Sequence, residues 1–147
     1  MMCRIHALPR LKARISRIGL SMAILGLGYV PGLSASVAPP SAPSGLASWY
    51  NRASCRREGT SGIMANGRAL DDEAYTAASW DYPFGTTLRV CVASHQPNHC
   101  ILVEVADRGP ARRLYKRGRI LDLSQAAFEA LAPLSQGIIA VTIEQVK

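Results

Sequence analysis

Two shortages bound this 147-residue chain before anything it contains does. It has no internal repeat, and no low-complexity segment beyond a short Pro/Ser/Ala stretch at 39–44, which excludes solenoids and repeat arrays. It is also short of acid: 10 Asp and Glu stand against 17 Lys and Arg, with no acid among the first 17 residues. The resulting net charge of +7 invites a nucleic-acid partner, but the excess is local. Arg4, Arg10, Lys12, Arg14 and Arg17 carry it; after Pro39, 12 basic residues meet 10 acidic ones, a net of +2. The charge is therefore read without a nucleic-acid partner.

Long apolar runs are missing too. The run from Ile18 to Val30 is shorter than the roughly 20 residues a membrane helix needs. It follows the basic segment and precedes the small residues Ser34 to Ala38, the three-part pattern of a secretory signal peptide. The expectation is a signal peptide over 1–38, cleaved between Ala35 and Ala38, a linker over 39–44 and one domain over 45–147. An uncleaved N-terminal anchor is the competing reading. Cys3 precedes the apolar run instead of ending it, so no lipid is expected on it. The mature protein is expected in the periplasm or secreted, as a monomer without cofactor or stable membrane span.

Export permits disulfides. Cys91 and Cys100 lie on two apolar runs, Leu88 to Val92 and Cys100 to Val105, joined by a polar, turn-rich linker. An antiparallel hairpin would set them opposite each other, within bridging distance. Cys55 is then the odd thiol. The alternative is zinc held by Cys91, His95, His99 and Cys100, but that spacing matches no common zinc pattern, and no metal is expected.

Period-two patterns and turn residues give about six short strands. Gly45 to Tyr50, Ala74 to Ser79, Thr87 to Val92, Ile101 to Val105, Arg119 to Leu123 and Gly137 to Val146 are the candidates, and residues 51–72 read as a long loop. Ser124 to Ala132 reads as a helix capped by Ser124. Mainly β structure with one or two short helices suggests a small closed barrel.

Six segments, in order, carry a resemblance: ASWYN (47–51), MANGRALD (64–71), YTAAS (75–79), PFGTTLRV (83–90), VEVADRGP (103–110) and ILDLSQAAFEAL (120–131). Together they resemble the rare lipoprotein A (RlpA) family and, more distantly, the barrel domain of expansins. The resemblance implies a six-stranded double-psi β-barrel and a lytic transglycosylase acting on peptidoglycan glycan strands. Two positions depart from the family. Arg68 stands where it often has glutamate, and Ser79 where it often has histidine.

Such a lyase lets the sugar's own 6-hydroxyl attack its anomeric carbon, so one carboxyl group can act first as acid and then as base. Asp107 is the candidate, because a strand ends there and Gly109-Pro110 fixes the turn behind it. Asp122 is a second carboxylate, read either as a charge near a helix start or as a partner across the groove. The resemblance places Asn66, Arg68, Ser79 and Arg108 beside the glycan. Trp49, Tyr50, Trp80 and Tyr82 are candidates for stacking on sugar rings, with Tyr50 matching the family's groove better than Trp80. The basic cluster from Arg108 to Arg119 suits an anionic polymer. A non-catalytic, expansin-like glycan-binding module is the alternative function, and a small secreted barwin-like protein a third.

Overall fold

A strand with one face in a core alternates its burial with period two. In the computed structural model, which describes residues 42–93 and 99–146, six segments form strands: β1 (Ser44–Tyr50), β2 (Thr76–Ala78), β3 (Thr87–Val92), β4 (Cys100–Asp107), β5 (Arg119–Ser124) and β6 (Ile138–Gln145). They close into one barrel in the order β1-β5-β2-β4-β3-β6. The pairs β1·β5 and β2·β4 are parallel and the others antiparallel. Closure leaves no open sheet edge for another chain to extend. The chain is thus a six-stranded double-psi β-barrel, as the sequence led us to expect.

The alternation sorts side chains cleanly. Ala47, Ala77, Leu88, Val90, Val103, Val105, Leu121, Leu123 and Val141 fill the main core, with Phe128 packed in. The residues between them on β1, β2 and β5 turn to the other face, as successive strand residues must. There a second cluster, Tyr50, Met64, Leu70, Ala78 and Ala106, packs beneath the 51–72 segment.

That segment is not all loop. Residues Arg52–Arg57 form a helix, α1, started by a reciprocal cap: the Asn51 side chain accepts from Ser54 N (2.7 Å) and Ser54 Oγ accepts from Asn51 N (3.0 Å). With α2 (Arg112–Tyr115) and α3 (Gln125–Glu129), the barrel carries three short α-helices where one or two were expected, and a 3₁₀ turn at Leu134–Gln136. Ser124 does not cap α3 with its side chain. Its hydroxyl instead donates to Ala74 O (2.5 Å) and accepts from Thr76 N (3.3 Å), tying β5 to β2. Among the described residues no helix is long and apolar enough to cross a membrane.

Cys91 and Cys100 pair in register across β3 and β4 and form a disulfide. That bond takes both thiols the zinc alternative required. His99 turns its ring to Ala130 O (2.8 Å), and His95 lies outside the described residues. Cys55, expected as an odd thiol, is buried and is not a free cysteine. The expected signal peptide and most of the linker also lie outside the described residues.

Candidate active site

The site begins with a register shift. Ala77 of β2 pairs with Val105 of β4, but the next residue, Ala78, pairs with Asp107, so Ala106 is skipped. Such a bulge re-aims the following side chain. On its other edge Ala78 pairs with Asp122 of β5, which pairs in turn with Ser48 of β1. Ser48, Asp122, Ala78 and Asp107 therefore form one row across four strands, on the face turned away from the main core. With strands about 4.8 Å apart, the two aspartate backbones lie about 10 Å from each other, with Ala78 of β2 between them.

The two carboxylates sit in different surroundings. Asp107 is partly exposed at the end of β4. Its Oδ1 accepts from Ala65 N (2.8 Å) and from Arg108 N (2.7 Å), and its carbonyl accepts from Ser79 N (3.2 Å). This carboxylate therefore gathers two backbone donors on one oxygen. Asp122 is only 5% exposed. Burial raises its pKa to about 6, against the Ser48 hydroxyl donating to Oδ1 (2.5 Å) and the Arg119 guanidinium, while the nearby Asp107 charge adds to the rise. Arg119 is buried as well, with Nη1 3.7 Å from Asp122 Oδ1 and no hydrogen bond on that nitrogen.

The 64–68 turn lies against β4 beside Asp107. Asn66 N donates to Ala106 O (3.3 Å) and Asn66 Oδ1 accepts from Arg68 N (3.0 Å). Gly67 takes a φ of 87°, which the Asn-Gly turn requires and a side chain would resist. Arg68 reaches from the turn to Glu104 Oε1 (2.8 Å) on the strand that carries Asp107, an exposed ion pair.

Four expected sugar contacts take on other roles. Trp49 belongs to the core-facing set of β1; it packs on Phe128 and donates from Nε1 to Leu134 O (3.2 Å). Tyr50 faces the other way, beside Asp107, but at 3% exposure its ring cannot stack on a sugar. Ser79 is fully buried; its backbone N–H serves Asp107 and its Oγ accepts from Asp81 N (3.2 Å). Arg108 is a strap: Nη1 donates to Ser79 O and Tyr82 O (3.0 Å each) while the guanidinium lies 3.7 Å above the Phe84 ring.

Beyond Asp107 the chain passes a cis Gly109-Pro110 bond. Trp80 donates from Nε1 to Pro110 O (2.6 Å), and the exposed Arg112 covers its ring at 3.6 Å. Tyr115 donates to Asp81 Oδ1 (2.5 Å). Together these contacts clamp the 79–84 loop to the basic rim. Sequence reasoning overlooked Ser48 and Ala78, and it placed Arg119 in the polymer-facing basic cluster, whereas the structure buries it beside Asp122. The small residues of Thr-Ala-Ala-Ser were the available signal for Ala78, and the strand parity shared with Tyr50 was the signal for Ser48.

A family model described as lytic transglycolase matches residues 42–143. The probable endolytic peptidoglycan transglycosylase RlpA of Nostoc is 38% identical over 101 residues, covering 68% of this chain and 24% of its own length. The endolytic peptidoglycan transglycosylase RlpA of Rickettsia felis is 34% identical over 129 residues, covering 87% of this chain and 51% of its own. The chain thus spans about a quarter to half the length of these relatives. A solved expansin from Clavibacter michiganensis is also similar, with 25% identity, a TM-score of 0.49, and coverage of 71% of this chain and 50% of that one. With the model match running over most of its length, the chain belongs to the lytic transglycolase family.

Proposed function

We propose that this barrel is an endolytic peptidoglycan lytic transglycosylase that cleaves glycan strands in the cell envelope and leaves anhydro-sugar ends. The observation that supports this most is the row that sets Asp107 and Asp122 on either side of Ala78. Asp107, the partly exposed member, is the acid/base. It gives its proton to the leaving glycosidic oxygen as the C–O bond breaks, then takes the proton of the 6-hydroxyl as that oxygen bonds to the anomeric carbon. No water enters, and the carboxyl ends as it began. Asp122 supplies a second charge that deepens the site's negative field when ionised, and the bond from Ser48 keeps it aimed.

The exposed Arg112, Arg113, Lys116 and Arg117 form the rim along which an anionic wall polymer lies. The processing reading belongs to the same proposal. Residues 1–38 direct export, 39–44 are a linker, and the mature, unlipidated monomer works in the periplasm or outside the cell.

The second reading, a glycan-binding module without catalysis, is favoured by Arg68 and Ser79. Neither supplies the acid–base group its position often carries in the family; one is held by Glu104 and the other is fully buried. Digestion of peptide-free glycan strands separates the two. The enzyme reading expects anhydro-sugar products from the wild type, and the module reading expects sedimentation with the polymer and no product.

A further inference from the structure

We infer that Tyr50 is a positioning residue for Asp107: its buried phenol donates to the carboxylate and steadies it once the catalytic proton has left. This rests on the glycan-cleavage reading above. The Tyr50 hydroxyl is buried and has no well-formed hydrogen bond, which a polar group in that position does not tolerate without a partner nearby. Tyr50 lies two residues beyond Ser48 on the same face of β1 and lines, with Asp107, one small cavity bounded also by Met64 and Leu70.

Both backbone donors to Asp107, Ala65 N and Arg108 N, approach the same oxygen, Oδ1. The phenol supplies a donor from β1, a different strand. Asp107 and Asp122 are the charged groups that act on it; Met64, Leu70, Ala78 and Ala106 around it are apolar. Burial first, and then the two carboxylates, hold its pKa well above the ordinary value, so the phenol keeps its proton and remains a donor at any working pH. Its burial keeps it from the sugar, so it acts through Asp107. The phenol proton stays on Tyr50 throughout, and the catalytic proton passes only between Asp107, the leaving oxygen and the 6-hydroxyl.

Two measurements test this. The first needs no substrate: the ring carbon bearing the Tyr50 hydroxyl is followed by NMR against pH in the wild type and in Asp107→Asn. A phenol that faces the carboxylate titrates lower in the variant, and an unchanged midpoint overturns the link. The second is kinetic. Tyr50→Phe removes only the hydroxyl and is expected to lower kcat about 10–100-fold with KM unchanged. The alkaline limb of the pH profile also moves to higher pH, because a lost donor disfavours the carboxylate form. Wild-type kcat with an unmoved limb overturns the positioning role, whatever happens to thermal stability. If the wild type itself forms no anhydro product, the cleavage reading has failed, and the titration still decides whether the phenol faces Asp107.

Discussion

Asp107 stands opposite Ala78 because β4 gains one residue on β2 between Val105 and the strand end. That shift, and not the turn after it, puts the carboxylate into the row with Asp122. Ala78 is the small buried residue between the two acids. Its replacement by Leu adds side-chain volume to a packed position, at a cost of about 1–3 kcal/mol. We expect Ala78→Leu to remain folded and to lose at least about 100-fold in product formation, the scale of one misplaced acid–base group. Thermal unfolding and product assay on one sample check both halves.

Asp122 sets a pH dependence of stability. Its folded pKa of about 6 lies above its ordinary value of 3.8, so the folded state binds more protons than the unfolded state between those values. Stability contributed by this group is therefore fully present below about pH 4 and is lost as the pH rises through 6. The shift corresponds to roughly 3 kcal/mol. Denaturant unfolding of the wild type between pH 4 and 7 is expected to carry this falling contribution, and Asp122→Asn is expected to remove it. Parallel pH curves for the two proteins would contradict the assignment.

Arg119 compensates Asp122 within the protein. Removing one member of a buried pair leaves an uncompensated charge, but a carboxyl with a pKa of about 6 takes up a proton instead, which limits the cost at pH 7 to about 1.4 kcal/mol. Arg119→Met is expected to destabilise by that order at pH 7 and by clearly less at pH 5, where Asp122 holds its proton. Unfolding at the two pH values gives the comparison directly.

The Cys91–Cys100 bridge closes a loop between residues nine apart in sequence. The chain-entropy estimate for such a loop is about 2–3 kcal/mol. Replacing both cysteines with serine should lower the unfolding free energy by that order. Intact-mass measurement after alkylation without reductant should find neither sulfur modified.

Arg68 and Ser79 respond differently when given the glutamate and histidine that the family resemblance implies at their positions. Arg68→Glu lies in an exposed pair, so its stability change should stay below about 1 kcal/mol, while product formation rises. Ser79→His must enter a fully buried site and should cost about 1–3 kcal/mol by overpacking. Activity and melting temperature of the two single variants check this contrast.

The longer strands were legible from apolar runs or a local period of two, and the hairpin bridge because its cysteines mark paired positions. α1 was also written in the sequence, in the spacing of Asn51 and Ser54, but the surrounding Gly, Ser and Arg masked it. What could not be read locally was long-range register. Nothing near Asp107 says that Ala78 will face it, nor near Ser124 that its hydroxyl serves Ala74 and Thr76 instead of a helix cap. Trp49 and Tyr50 show the same limit. Alternation says that neighbours turn to opposite faces, but only the closed barrel tells which ring enters the core and which sits beneath the carboxylates.

The most direct measurement of the central claim is mass spectrometry of peptide-free glycan strands after incubation with wild-type protein and with Asp107→Asn, each first shown to be folded and to sediment with the polymer. The account predicts anhydro-sugar ends with the wild type and a loss of at least about 100-fold with the variant. Anhydro ends formed equally by both proteins, or by neither while both bind, would contradict it.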